Sequence, residues 1–220
     1  MTKEFKQRLL TSVVLITLLI LMLNYSVVLI SSLLLIFVVS WLEFNYILEI
    51  IYIKNMNLIL KNLLKFLTFT YLLFFMKIIV DEFIQSQPNI SWNLIYIISI
   101  CILSDIGGYL FGKFFKGKKL TKISPNKTYS GMIGSFLLSI IFCIIYSYLI
   151  SFEDFKTIFI ITLLISFICQ MGDLFISFLK RKAKIKDTGN ILPGHGGVLD
   201  RIDGILFALP SGIILINYFN

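Results

Sequence analysis

Long apolar stretches alternate with short polar ones along the chain, and the apolar stretches have the length of a bilayer span. Candidate spans cover Leu9–Leu23, Ser26–Leu42, Leu63–Val80, Asn93–Phe111, Gly131–Ile150, Thr157–Leu179 and Gly204–Tyr218. Backbone N–H and C=O groups find no water in hydrocarbon, so each stretch is predicted to be helical. The expected fold class is all-α, a polytopic transmembrane helical bundle of about seven spans. Only Asn24 and Tyr25 separate the first two spans, which predicts a tight helical hairpin. Residues 43–62 are amphipathic, with Glu43, Glu49, Lys54 and Lys61 among Ile, Leu and Tyr. They either extend the second helix or lie at the interface. The whole chain, 1–220, reads as a single integral membrane domain. Within it, 1–62 is the N-terminal hairpin with its amphipathic segment, and 93–218 is the catalytic portion.

Charge adds an orientation. Lys3, Lys6 and Arg8 precede the first span, and Lys54, Lys61 and Lys65 lie between the second and third. Lys113, Lys116, Lys118, Lys119, Lys122 and Lys127 follow the fourth, while Lys180, Arg181, Lys182, Lys184, Lys186 and Arg201 follow the sixth. The alternate loops are acidic, with Asp81 and Glu82, then Glu153 and Asp154 opposed only by Lys156. Every basic cluster therefore falls on one side, which predicts a cytoplasmic N-terminus. No small-residue cleavage site follows the first apolar run, so it reads as a retained helix rather than a signal peptide.

Composition agrees: 58% of the residues are hydrophobic and the mean hydropathy is +0.92. The net charge of +8 sits in short segments between spans, which favours membrane topology and phosphate-bearing partners over nucleic acid. Cys101, Cys143 and Cys169 each lie inside an apolar run without metal-type spacing, and read as small buried hydrophobes.

Three features carry candidate chemistry. Charges within spans are costly and commonly functional, which singles out Asp105 and Asp173. Helical spacing puts Asp173, Ser177 and Lys180 on one face, a carboxylate, a hydroxyl and an ammonium in a row. The segment Ser177–Asp203 then carries Pro193, Gly194, Gly196 and Gly197, a loop with little side-chain cover that lets backbone N–H groups approach phosphate oxygens. A helix starting near Asp200 would put Asp200 and Asp203 on one face, a donor set suited to Mg²⁺ shared with substrate phosphates. Arg201 between them can fork a phosphate. The chain has only three arginines, Arg8, Arg181 and Arg201, beside seventeen lysines. Where lysine is the default cation, two arginines in one segment hint at bidentate geometry. His195, the only histidine, is a general base, a phosphate donor or a holder of the turn. Beyond the fourth span, Ser124-Pro125 resembles a helix start whose N-terminus, carrying Lys127 and Thr128, would suit an anion.

Ser177-x-x-Lys180-Arg181, then Lys186-Asp187-x-Gly189, then Pro193-x-His195-Gly196-Gly197-x-x-Asp200-Arg201-x-Asp203 resembles the signature of the phosphatidate cytidylyltransferases, the CDP-diacylglycerol synthases. The Ser-Pro-x-Lys-Thr stretch and Gly172-Asp173-Leu174 resemble further blocks of that family. The likeness covers roughly 100–210. In many members an acidic residue stands where this chain has Ser130.

The resemblance implies an enzyme that transfers CMP from CTP to phosphatidate with Mg²⁺, releasing pyrophosphate, as a multi-pass homodimer in a bacterial inner membrane. It implies Asp173 and Asp200 as metal ligands, with Asp203 a possible third. Ser177, Lys180, Arg181 and Arg201 join them as catalytic residues, the cations offsetting triphosphate charge. Ser124, Lys127, Thr128, Lys186, Asp187, His195, Gly196 and Gly197 are the expected substrate-binding residues. Because one substrate is a lipid and the other is water-soluble, the site is expected at the cytoplasmic interface. Two rival readings are a CTP-dependent polyprenol or phytol kinase, which would release CDP, and a small ion-coupled transporter using Asp105 and Asp173.

Overall fold

A computed structural model describes residues 3–52, 58–87, 91–121, 124, 127–150 and 154–219. Lys54, Lys122, Pro125 and Glu153, which entered the charge and motif readings, lie outside the described residues. The described helices are α1 (Lys3–Asn24), α2 (Ser26–Tyr52), α3 (Leu58–Ser86), α4 (Trp92–Phe115), α5 (Tyr129–Ile150), α6 (Phe155–Lys182), α7 (Leu199–Ile202) and α8 (Ile205–Phe219). Helices α1 to α6 are each long and apolar enough to cross a membrane, and α8 is a shorter apolar helix. The chain is thus an all-α, multi-pass membrane protein; the first six apolar runs fall on its long helices and the seventh, Gly204–Tyr218, on the shorter α8.

Several helices outrun the apolar stretches that predicted them. Helix α2 continues past Leu42 to Tyr52, and α3 takes in Lys61, Asp81 and Glu82 beyond the stretch Leu63–Val80. Polar residues within these extensions find partners. Glu49 Oε1 accepts from Lys65 Nζ at 2.9 Å and pairs with Lys61 Nζ at 3.5 Å. The amphipathic residues from Glu43 to Tyr52 therefore extend the second helix.

The chain divides into two compact units. The first comprises Met1–Ser91 and Leu179–Ile202, and the second comprises Trp92–Phe178 and Asp203–Asn220. In the first unit, α2 packs on α3. Phe37 and Trp41 stand edge-on to Phe69, with centroids 5.3 and 5.7 Å away. Leu29, Leu33, Phe44 and Ile47 of α2 and Leu72, Phe75, Ile79 and Phe83 of α3 are buried. Thr11 of α1 and Glu43 of α2 both bond to the segment 188–199. A straight helix would hold these residues about 48 Å apart. The chain must therefore fold back near Tyr25, giving the expected hairpin. Leu9, Leu10, Val13, Val14 and Ile16 of α1 are left exposed, as a lipid-facing row requires.

In the second unit, α4 packs closely on α5 and also contacts α8. A Cβ added at Gly131 would lie 2.7 Å from the carbonyl oxygen of Gly108, so the close approach of α4 and α5 depends on small residues. Hydroxyls supply polar links between helices. Ser135 Oγ donates to the Ser104 carbonyl at 2.7 Å, Ser104 and Ser166 hydroxyls meet at 3.1 Å, and Tyr96 and Thr162 hydroxyls meet at 2.5 Å. Cys101, Cys143 and Cys169 are free and buried, as their apolar neighbours predict.

Candidate active site

The glycine-rich segment after α6 is built within the first unit. Helix α6 ends in a left-handed residue, Lys184 (φ 57°), with Ile185 N–H bonding Lys180 O at 3.0 Å and Lys184 N–H bonding Arg181 O at 3.1 Å. This is a Schellman stop, which satisfies the last carbonyls and turns the chain. Asp200 then gathers the segment. Its Oδ1 accepts Lys180 Nζ at 2.6 Å, and its Oδ2 accepts Thr188 N–H at 2.7 Å, Thr188 Oγ1 at 3.0 Å and Gly197 N–H at 3.0 Å. The Asp200 side chain is only 5% exposed. Burial alone would raise its pKa, but the Lys180 ammonium and the two backbone N–H groups outweigh this and hold it below the ordinary value of 3.8.

A second carboxylate grips the same segment from α2. Glu43 Oε1 accepts Val198 N–H at 2.9 Å, and Oε2 accepts Thr188 Oγ1 at 2.7 Å and Leu199 N–H at 2.9 Å. Glu43 is buried, and a Cβ at Gly189 would come within 2.7 Å of its Oε1. Three glycines of the segment are thus places where only a bare backbone leaves room for a carboxylate, and at Gly197 a Cβ would lie 2.5 Å from Glu43 Oε1. At Gly196, with φ of 84°, a Cβ would lie 3.0 Å from Asp200 Oδ2.

The Pro193–Gly197 turn is closed by main chain. Leu192 N–H donates to Gly196 O at 2.9 Å and His195 N–H to Leu192 O at 2.9 Å. Arg201 braces it, with Nε and Nη2 donating to the His195 carbonyl at 2.9 and 2.6 Å. Those bonds take one edge of the guanidinium and leave the rest of its fork for an anion. The His195 ring reaches α1 instead, with its Nε2 3.4 Å from Ser12 Oγ. A cleft of ≈ 560 Å³ opens beside this turn, its lining including Arg8, Lys186, Asn190, His195 and Arg201.

The second unit holds the other expected residues. Lys127 forms an ion pair with Asp173, and its Nζ also reaches Gln170 O at 3.5 Å. Ser177 Oγ donates to Asp173 Oδ1 at 3.3 Å, as their helical spacing predicts. Asp203 accepts Gly204 N–H at 2.9 Å. Its carboxyl is pushed above the ordinary carboxylate range, first by burial and then by the charge of Asp173, with Gly204 N–H opposing and Asp105 adding to the rise. Gly172 allows this closeness, because a Cβ there would lie 2.7 Å from the Asp203 carbonyl oxygen. Asp105 on α4 lies within electrostatic reach of Asp173 and Lys127.

The helix expected to begin at Ser124 begins later. Residues 118–120 pair with 127–129, through Leu120 N–H to Lys127 O at 2.8 Å and Tyr129 N–H to Lys118 O at 3.1 Å. This pairing keeps Ser124 in the intervening turn, where its carbonyl accepts Lys127 N–H at 3.0 Å. Thr128 takes over as cap of α5, with Oγ1 accepting Gly131 N–H at 3.1 Å. Ser130 Oγ meets Thr128 Oγ1 at 3.0 Å and accepts Gly117 N–H at 3.3 Å, so this serine ties loop to helix.

The expected common helix for Asp200 and Asp203 does not form either. Helix α7 ends at Ile202, and the two carboxylates have different partners. Lys180, Asp187, His195, Gly196, Gly197, Asp200 and Arg201 are gathered in the first unit, with Lys186 and Arg181 exposed on it. Lys127, Thr128, Asp173, Ser177 and Asp203 belong to the second. Glu43 and Thr188 were missed as site residues. An acid after Ser40-Trp41-Leu42, in the same helix as a span, was the signal for Glu43.

The donor chemistry suits a hard divalent cation. Asp173, Asp203 and Asp105 bring three carboxylates into mutual electrostatic reach, with Lys127 opposing them. Among the described residues no group of three or more His, Cys, Asp or Glu side chains is arranged to hold a metal ion by itself. Mg²⁺ is commonly held by one or two carboxylates, with waters and substrate phosphates completing its shell, and the residues present fit that mode.

The sequence profile of the cytidylyltransferase family matches residues 1–219. The phosphatidate cytidylyltransferase of Bacillus subtilis (strain 168) is 38% identical over 143 residues, covering 63% of this chain and 53% of that protein. That of Rickettsia bellii (strain RML369-C) is 41% identical over 136 residues, or 58% of this chain and 59% of the relative. That of Staphylococcus aureus (strain COL) is 41% identical over 136 residues, or 61% and 52%. The chain thus spans between about half and three-fifths of the length of these curated relatives.

Proposed function

This chain belongs to the cytidylyltransferase family, and on that premise we propose that it transfers CMP from CTP to phosphatidate, yielding CDP-diacylglycerol and pyrophosphate. The observation that carries this reading is the signature segment itself. Its Asp200, Gly196 and Arg201 build a tightly bonded loop beside a cationic cleft, and the relatives that share about 40% identity are named for this reaction.

The chemistry asks little covalent work of the protein. The phosphate of phosphatidate is already a charged nucleophile near neutral pH. Its oxygen attacks the α-phosphorus of CTP, and the bond to the β-phosphate breaks to release pyrophosphate. Such transfer depends on positioning and on neutralising charge. Arg201 is held rigidly through the His195 carbonyl, and Lys186 lines the same cleft, so both serve to neutralise phosphate oxygens. Asp200, filled by its four donors, holds the loop in shape. Asp173, with Asp203 beside it, would hold Mg²⁺, which when bound neutralises the triphosphate and the leaving pyrophosphate. Lys127 pairs with Asp173, and Thr128 beside it is a candidate contact for substrate.

The basic segments support a cytoplasmic N-terminus and an active site at the cytoplasmic face of a bacterial inner membrane, where CTP and lipid meet. The family resemblance also supports a homodimer, which crosslinking in native membranes would test.

The deciding experiment supplies purified protein in detergent with phosphatidate and α-³²P-labelled CTP, with and without Mg²⁺. Labelled lipid that forms only with Mg²⁺ is expected, since the α-phosphate stays with CMP. Unlabelled lipid together with CDP release on adding a polyprenol would overturn the reading in favour of a kinase.

A further inference from the structure

Arg8 enters the sequence reading only as one of the charges that orient the first span. In the structure it lines the ≈ 560 Å³ cleft together with Lys186, His195 and Arg201. We propose that Arg8 is a substrate-binding residue, whose guanidinium clamps a phosphate group of one of the two substrates from the α1 side of the cleft. The inference rests on the cytidylyl-transfer reading and extends its site to the first helix.

Four observations support it. First, the head of α1 is fixed against the signature turn. Thr11 Oγ1 donates to the Pro193 carbonyl at 2.9 Å, and Ser12 Oγ lies 3.4 Å from His195 Nε2. Second, the turn is shaped to receive Arg8 itself. A Cβ at Gly194 would lie 3.0 Å from Arg8 Cγ and 3.6 Å from its backbone nitrogen. Third, the cleft carries three cations, Arg8, Lys186 and Arg201, against the single carboxylate of Asp187. Among the described residues Arg8 has no ion-pair partner, so its charge is uncompensated by protein. Fourth, arginine is scarce here, three residues among twenty cations, yet two of the three face this one cleft. A point charge would serve topology as well as an arginine. The planar fork matters where a phosphate is gripped by two parallel N–H bonds.

The leucine-rich flank of α1 beside this cleft is exposed as a lipid-facing surface. The phosphate taken could therefore belong to the phosphatidate headgroup or to CTP, and the test separates the two.

Full-length protein in detergent is titrated calorimetrically with CTP and, separately, with short-chain phosphatidate, for the wild type, Arg8→Lys and Arg8→Ala. Arg8→Lys preserves the charge that orients the helix, so it isolates the fork. The expected result is at least about a tenfold weaker Kd for one ligand in Arg8→Ala, the other unchanged, and only partial recovery in Arg8→Lys. Weakening confined to phosphatidate assigns Arg8 to the lipid phosphate, and weakening confined to CTP assigns it to the nucleotide. Wild-type affinity for both ligands in either variant overturns the proposal. Labelled-lipid formation by the wild type is measured alongside. Its absence would remove the cytidylyl-transfer reading, whereas normal turnover with unaltered binding in the Arg8 variants would remove this inference alone.

Discussion

Thr188 shares the single proton of its hydroxyl between Glu43 Oε2 at 2.7 Å and Asp200 Oδ2 at 3.0 Å, so one side chain joins the carboxylate of α2 to that of the signature loop. Its backbone N–H also binds Asp200 at 2.7 Å, and it is buried. The loop is therefore held from two sides by acids whose lone pairs are filled with N–H and O–H donors. Such a network is costly to open, because each freed donor loses its partner in a water-poor setting.

Glu43→Ala strands Val198 N–H and Leu199 N–H at once and leaves the Thr188 hydroxyl only Asp200 as acceptor. Each unpaired buried donor costs about 1–3 kcal/mol. The expected loss of stability is about 3 kcal/mol, read as a lower unfolding midpoint in detergent, with turnover falling at least about tenfold. Glu43→Gln keeps an acceptor and should fall between the two. An Ala variant with unchanged unfolding and turnover would remove Glu43 from the loop's support.

Asp173→Asn tests the carboxylate nearest the proposed cation. The substitution keeps the side-chain shape and the Ser177 contact while removing the charge paired with Lys127. Turnover should fall by at least about a hundredfold, as when a transition-state charge loses its partner. The variant should still fractionate with membranes. Full activity would sink the role given to Asp173.

How much of this was legible beforehand depends on the range of each interaction. Apolar runs predict the long helices because burying backbone in lipid is a local requirement. Ser177 and Asp173 meet because one helical turn separates them, and that too is local. Glu43 reads from sequence only as one charge of the amphipathic segment after the second span, because its partners lie 145 or more positions away and no spacing rule links them. Ser124 looked like a cap, yet pairing between 118–120 and 127–129 moved the helix start to Thr128. Asp200 and Asp203 suggested one helical face, but α7 closes at Ile202 and the acids go to different partners. In each miss, a tertiary contact overrode a sound local signal.

Gly196 tests the loop's backbone. Its φ of 84° belongs to the region that costs L-residues about 1–2 kcal/mol, and a Cβ would crowd Asp200 Oδ2 at 3.0 Å and Asp187 Cβ at 3.3 Å. Gly196→Ala should lower stability by roughly 2 kcal/mol and reduce turnover. Gly117→Ala serves as the control, since no positive φ is found there and its nearest neighbour would be the Ser130 hydroxyl at 3.1 Å. Equal behaviour of the two variants would show that loop conformation at Gly196 is not limiting.

Asp200 gives the loop a defined response to acid. Its pKa lies below 3.8 in the folded chain, because Lys180 and the N–H groups of Thr188 and Gly197 outweigh its burial. A depressed carboxylate contributes stability that is fully present above its unfolded pKa and is lost as pH falls through the folded value. The Thr188 and Gly197 amides, which donate to Asp200 Oδ2, should therefore keep constant protection from pH 7 to about pH 4 and lose it only in stronger acid. Hydrogen exchange followed by mass spectrometry, corrected for the intrinsic rate at each pH, reads this directly. Asp200→Asn should show weaker protection already at pH 7 and little further change on acidification. Protection in the wild type that fades between pH 7 and pH 5 would mean that a different group, with a higher pKa, controls the loop.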